Sequence, residues 1–134
     1  MRRNNGTLNG QLSRIISETG HTDKIVITDA GLPIPLSVER VDLAIKPGLP
    51  AFLDVLDAVL AELEIEEAVM SEEIRNASPQ MLEQIEKRLA VHGVVGTFVP
   101  HQEFKAATVN ARAAVRSAEV TPYANVLLTA GVVY

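Results

Sequence analysis

Residues Gly20–Pro35 read GHTDKIVITDAGLPIP. Inside this stretch, Lys24–Thr28 (KIVIT) is an apolar run too continuous for a half-exposed strand, and it predicts a short strand buried on both faces. His21 and Asp23 lead into it. Asp29 closes it, followed by the stiff Gly31-Leu32-Pro33-Ile34-Pro35 turn. An imidazole and a carboxylate therefore flank one buried strand, and the rest of the chain has to supply the layers that bury it.

Working outward, Asn9 caps a helix expected over about Asn9–Thr19, with Leu12, Ile15 and Ile16 at helical spacing and Gly20 as a left-handed exit. Downstream, VERVDLAIK (Val38–Lys46) alternates Val41, Leu43 and Ile45 against Asp42, Ala44 and Lys46, the period of a second strand. After the PGLP break, Phe52, Val55, Leu56, Val59, Leu60 and Leu63 form an amphipathic helical stripe, which reads as core. EEAVM, around Met70, predicts a third strand. Ser78-Pro79 then opens a helix carrying Met81, Leu82, Ile85 and Leu89 and ending near Gly93. GTFV reads as a fourth strand, HQEFKAATVNAR as a helical turn or two, and AAVRSAEV and ANVLLTAGVVY as closing strands. Strands alternating with helices predict a single α/β domain over residues 1–134, a layered sandwich whose central, mostly parallel or mixed sheet is flanked by helices.

Composition narrows the function. The 134 residues are 47% hydrophobic and 22% charged with a formal net charge of −5, which fits one folded domain. No clustered basic footprint points to nucleic acid. No stretch reaches the roughly 20 apolar residues of a membrane span, and the N-terminus lacks a signal-peptide apolar core. With no cysteine there is no thiolate chemistry and no disulfide framework. A cytoplasmic location is the expectation.

Five residues carry possible chemistry. His21 follows a helix C-terminus and lies near Asp23, both of which favour a charged imidazole suited to proton donation; a solvated capping histidine is the plainer reading. Asp29 sits at a strand's carboxyl end, where α/β sheets bind ligands, although Asp-Ala-Gly is also ordinary turn chemistry. His101 lies just beyond another strand end. Tyr123 and Asn125, in TPYAN, offer a hydroxyl and an amide. His92 reads as surface. No metal-ligand spacing, glycine-rich phosphate loop or nucleophile elbow is present, so neither a metal nor a cofactor is called for.

Taken together, GHTDKIVITDAGLPIP, RVDLAIKPGLPAF, the EEI at Glu72–Ile74, PHQEFK and TPYANVLLTAGVVY resemble the D-ribose pyranase family over nearly the whole chain. The resemblance is weaker at residues 76–95. The related fucose mutarotases usually read Ala-Asn after the strand aspartate, so Ala30-Gly31 favours the ribose branch. The resemblance implies a cofactor-independent isomerase interconverting the pyranose and furanose forms of D-ribose. His21 would be the proton donor, and Asp29, His101, Lys105, Tyr123, Ala124 and Asn125 would bind the sugar. It also implies subunit rings, typically pentamers paired into decamers, with sites in clefts between neighbours. On that basis the Tyr123–Asn125 wall is expected to be completed across a subunit boundary. A mutarotase for fucose or another sugar, and a non-catalytic sugar-binding subunit, are the competing readings. Ser117-Ala118 stands where relatives usually have Thr-Gly, so a loop needing positive φ there would be altered.

The acid–base groups suit this chemistry. Opening a hemiacetal requires one proton removed from the anomeric hydroxyl and one delivered to the ring oxygen, and closing reverses the exchange. Positioned acid–base groups typically give about 10²–10⁴-fold, enough for a reaction that already proceeds in water.

Overall fold

The computed structural model describes all 134 residues. Its strands are β1 (Lys24–Thr28), β2 (Glu39–Asp42), β3 (Ile65–Ser71), β4 (Thr97–Val99), β5 (Ala113–Arg116) and β6 (Val126–Ala130). Its helices are α1 (Gly10–Glu18), α2 (Phe52–Leu60), α3 (Ile74–Ala77), α4 (Pro79–Val91) and α5 (His101–Ala107), the last running into a 3₁₀ turn at Thr108–Asn110. The six strands form one mixed sheet in the order β2-β5-β1-β6-β3-β4. β1 runs parallel to β5, β5 to β2 and β3 to β4, whereas β6 lies antiparallel between β1 and β3.

β1 is buried on both faces, as its composition predicts. Ile25 and Ile27 join a core cluster with Leu12 and Ile15 of α1, the apolar stripe of α2, and Leu82, Ile85 and Leu89 of α4. Val26 faces the opposite way, packing with Ala114, Leu127, Leu32, Val38 and Phe104. The second layer is thinner, made of α5 and the Leu32–Val38 loop. Phe104 is fully buried, and burying one such ring stabilises by roughly 1.5–3 kcal/mol. That anchor seats α5, and with it His101, on the sheet.

The elements depart from expectation at their ends, for local reasons. β2 stops at Asp42, four residues short of Lys46. Asp42 Oδ1 accepts the Ala44 amide at 3.1 Å and Ile45 N bonds to Leu49 O, so the chain turns away and leaves Ile45 77% exposed. Helix α1 is capped by Asn9, whose Oδ1 accepts Leu12 N at 2.8 Å, but it exits through an extended Thr19 and not through a left-handed Gly20. Ser78 does not use its hydroxyl to cap α4; it donates to Pro122 O at 2.7 Å. β5 ends at Arg116, and β6 is buried throughout while Val133 and Tyr134 beyond it are exposed. Ala118 does not require positive φ: it is buried at 2% exposure and its N–H donates to Pro50 O. The replacement of glycine is accommodated.

Candidate active site

The parallel strands β1, β3, β4 and β5 all end on one side of the sheet, where β6 begins. A cleft of about 530 Å³ opens there, lined by Asp29, Leu32, His101, Glu119, Tyr123 and Asn125 among others. It lies beyond strand carboxyl ends, where α/β sheets commonly bind ligands.

Asp29 and Asn125 form the floor. Asp29 N donates to Asn125 Oδ1 at 2.9 Å, and Asn125 Nδ2 donates to Asp29 Oδ2 at 3.2 Å. Asp29 Oδ1 accepts Gly31 N and Leu32 N at 3.0 and 2.8 Å. Asp29 therefore makes the expected turn with one oxygen, which fastens the loop, while the other is braced by a buried amide at the cleft. Asn125 is 1% exposed, so its pairing with Asp29 is costly to lose.

His101 opens α5 and is held on three sides. Its amide donates to the Glu73 carboxylate at 3.0 and 3.1 Å, and its Nδ1 lies 2.8 Å from Ser71 Oγ. Its ring stacks on Phe104 and meets the Tyr123 ring edge-on at 5.0 Å between centroids. Tyr123 has φ of 63°, a left-handed conformation that costs a non-glycine residue free energy. The surrounding bonds, Asn125 N to Tyr123 O and Ser78 Oγ to Pro122 O, hold that turn in place.

Glu119 ties the cleft walls together. α2 has no side-chain cap of its own, and Glu119 Oε1 supplies one by accepting Phe52 N at 3.0 Å. Its Oε2 accepts Thr121 Oγ1 at 2.8 Å and its backbone O accepts Ala30 N at 2.9 Å. Burial opposes its charge, but the hydrogen bonds from Phe52 and Thr121 prevail and hold the carboxyl below its ordinary value.

His21 is elsewhere. It precedes β1, whose five residues span about 16 Å, so it lies at the opposite end of the sheet from Asp29. It is exposed, and its Nε2 is 2.9 Å from Glu66 Oε2. The turn that presents it is clamped. Thr22 N donates to Ala130 O, Ala130 N to Asp23 O, and Asp23 Oδ2 accepts Gly20 N at 2.9 Å and Arg112 Nε at 3.0 Å. The Gly20 bond, against some desolvation and with Arg112 beside it, holds the Asp23 carboxyl below its usual range. Thr22, not a glycine, takes positive φ here at 69°.

The structure thus gathers Asp29, His101, Tyr123 and Asn125 in one chain. Within a single chain it is His21 that stands apart from them. Ala124 is fully buried in the main core and, unlike its neighbours Tyr123 and Asn125, does not line the cleft. Lys105 lies one helical turn beyond His101 on α5, half-buried and outside the residues lining the cleft.

The RbsD / FucU transport protein family matches residues 2–133. The chain belongs to this family. Among its relatives, the D-ribose pyranase of Laribacter hongkongensis is 52% identical over 132 residues, covering 98% of this chain and 99% of that protein. The D-ribose pyranase of Geobacillus kaustophilus is 49% identical, covering 97% of this chain and 94% of its own length. Bacillus subtilis RbsD, solved in complex with D-ribose, superposes with a TM-score of 0.94 at 40% identity, covering 99% of this chain and all of its own. The fucose mutarotase of Streptococcus pneumoniae, solved with L-fucose, gives a TM-score of 0.80 at 21% identity, covering 95% of each chain, and shares the fold.

Sequence reasoning missed Ser71, Glu73, Glu119 and Glu66. Each acts on another residue by side-chain geometry, and no periodicity or spacing marks such a role. Glu72-Glu73-Ile74 stood out only as part of the family resemblance.

Proposed function

We propose that this protein is a D-ribose pyranase, an isomerase that opens and recloses the sugar ring without redox chemistry or a covalent adduct. The carrying observation is the Asp29–Asn125–His101–Tyr123 cleft in a chain that superposes at a TM-score of 0.94 on a ribose-complexed relative. Identity of 52% to a full-length D-ribose pyranase supports the same reading.

The geometry suggests a division of labour. Asp29 Oδ2, fixed by Asn125, accepts from sugar hydroxyls, and a charged acceptor makes the stronger hydrogen bond. Tyr123 contributes a hydroxyl and an apolar ring face, and His101 the nitrogen not engaged by Ser71. Lys105 and the Ala124 backbone border this set and complete the sugar contacts. His21 delivers a proton to the ring oxygen as the anomeric hydroxyl passes its own to Asp29 Oδ2. The aldehyde is freed, rotates, and is recaptured by another hydroxyl, with the protons returned in reverse order.

Because His21 is on the far end of its own sheet, it serves the cleft of a neighbouring copy. Head-to-tail contact of this kind forms a ring when the rotation between copies closes, as in a decamer built from two pentamers. Each subunit is one domain over residues 1–134. No helix is long and apolar enough to cross a membrane, and a cytoplasmic location fits an enzyme acting on a free sugar.

Saturation-transfer NMR on D-ribose tests the activity. The protein is expected to raise pyranose–furanose exchange well above the uncatalysed rate, and more than it raises α–β exchange of L-fucose. Ribose-dependent thermal stabilisation without any gain in exchange contradicts the enzyme reading.

A further inference from the structure

Ser71 closes β3 and is completely buried, with 0% exposure. Its hydroxyl has one hydrogen-bond partner, His101 Nδ1 at 2.8 Å. A buried hydroxyl carries a hydrogen that needs an acceptor, and a neutral imidazole has one N–H and one bare nitrogen. Two arrangements are conceivable. With the hydrogen on Nδ1, that N–H donates to Ser71 Oγ, and the hydroxyl's own hydrogen is stranded in a site closed to solvent. With the hydrogen on Nε2, the hydroxyl donates to bare Nδ1 and every group is satisfied. Only the second leaves no buried hydroxyl hydrogen without an acceptor, which folded proteins rarely tolerate.

We propose that Ser71 is a positioning residue that fixes His101 as the Nε2–H tautomer, so that His101 meets its ligand as a hydrogen-bond donor and not as a proton acceptor. This rests on the sugar-binding reading of the cleft. The ring cannot exchange its two edges freely, because Phe104 stacks on it, the Tyr123 ring abuts it and Glu73 holds its backbone amide. Nε2 has no protein partner, and the residue lines the cleft with Asp29. The cleft therefore offers a fixed donor at His101 and a fixed acceptor at Asp29 Oδ2. Such a pair reads the arrangement of two sugar hydroxyls, since each hydroxyl can turn its hydrogen toward one and its lone pair toward the other. It also withholds a bare ring nitrogen from the cleft, so His101 cannot be the group that takes the anomeric proton.

The test is two-bond ¹H–¹⁵N correlation NMR on the full-length protein labelled with ¹⁵N-histidine, at about pH 8.5, well above the ordinary histidine range. His101 is assigned by comparison with His101→Gln. The expected result is a protonated, pyrrole-type Nε2 and a bare Nδ1 shifted by hydrogen bonding. In Ser71→Ala, the Nδ1 resonance should move toward that of a free ring nitrogen, and ribose affinity should fall several-fold. A protonated Nδ1 in the wild-type protein overturns the proposal without need of any variant. An unmoved Nδ1 in folded Ser71→Ala also overturns it. The expected tautomer, with Nε2–H unaffected by added ribose, supports the role of Ser71 and counts against the sugar reading instead.

Discussion

The two ends of β1 are built on opposite plans. At its carboxyl end Asp29 enters a half-buried hollow in which nearly every polar atom is tied: two turn amides, the Asn125 amide, Ser71, Glu73 and Glu119 fix what faces the cleft. At its amino end one exposed imidazole stands on a clamped turn, with Glu66 as its only side-chain partner and no enclosing wall. On the proposed function, the first end binds the sugar and the second presents a group outward. Neither suffices alone for ring opening, which needs a held sugar and a delivered proton. The lesson is that rigidity has been spent at both ends, but enclosure at one only, as expected if the second end completes a site on another copy.

The contrast can be broken first by separating binding from turnover. His21→Ala should lower ring exchange by about 10²–10⁴-fold, the usual worth of a positioned acid, while ribose still raises the melting temperature. Asp29→Asn, which retains an oxygen for the turn amides, should lose both exchange and ribose-dependent stabilisation. Equal loss of binding in the two variants would erase the distinction between the ends.

Asn125→Ala should have the next largest effect. It strips partners from Asp29 N and Oδ2 in a buried position, at a cost of about 1–3 kcal/mol, visible as a lower denaturation midpoint with unchanged slope. A stability change near zero would show that the floor of the cleft is not braced as described.

Glu119→Gln sharpens the account with a smaller effect of defined direction. Its carboxyl titrates below the ordinary 4.5 in the folded protein, so the stability it contributes is fully present above that value. It is lost as pH falls through the lower, folded value. Near neutrality the variant should be less stable than wild type, by up to the roughly 0.5–2 kcal/mol of a helix cap. That gap should close as the pH drops below 4.5. A gap independent of pH would remove Glu119 as the charged cap of α2.

Much of this architecture was legible in the residues. KIVIT announced a doubly covered strand, and the stripes at Leu12–Ile16, Phe52–Leu63 and Met81–Leu89 announced the helices that cover its heavier face. Strand ends were less legible, because alternation through Leu43 and Ile45 continues past the point where Asp42 turns the chain with its own side chain. Asp29, His101, Tyr123 and Asn125 were identified by their places next to strands, and the fold brings them together. The separation of His21 from Asp29 was implicit in KIVIT itself, since a strand keeps its two ends apart. What could not be read was which residues hold the others. Ser71, Glu73 and Glu119 act across the sheet on partners 28 to 67 residues away in sequence, and short-range pattern carries no trace of such contacts.

The central claim, that His21 of one copy serves the cleft of another, is tested most directly by complementation. His21→Ala and Asp29→Asn chains, each inactive alone, are co-expressed and the mixed particle is assayed by saturation transfer on ribose. Random assembly pairs an intact His21 with an intact cleft at roughly one site in four, so the mixture should recover about that fraction of wild-type exchange. Mixed particles that form yet show no more exchange than either variant alone would contradict the account.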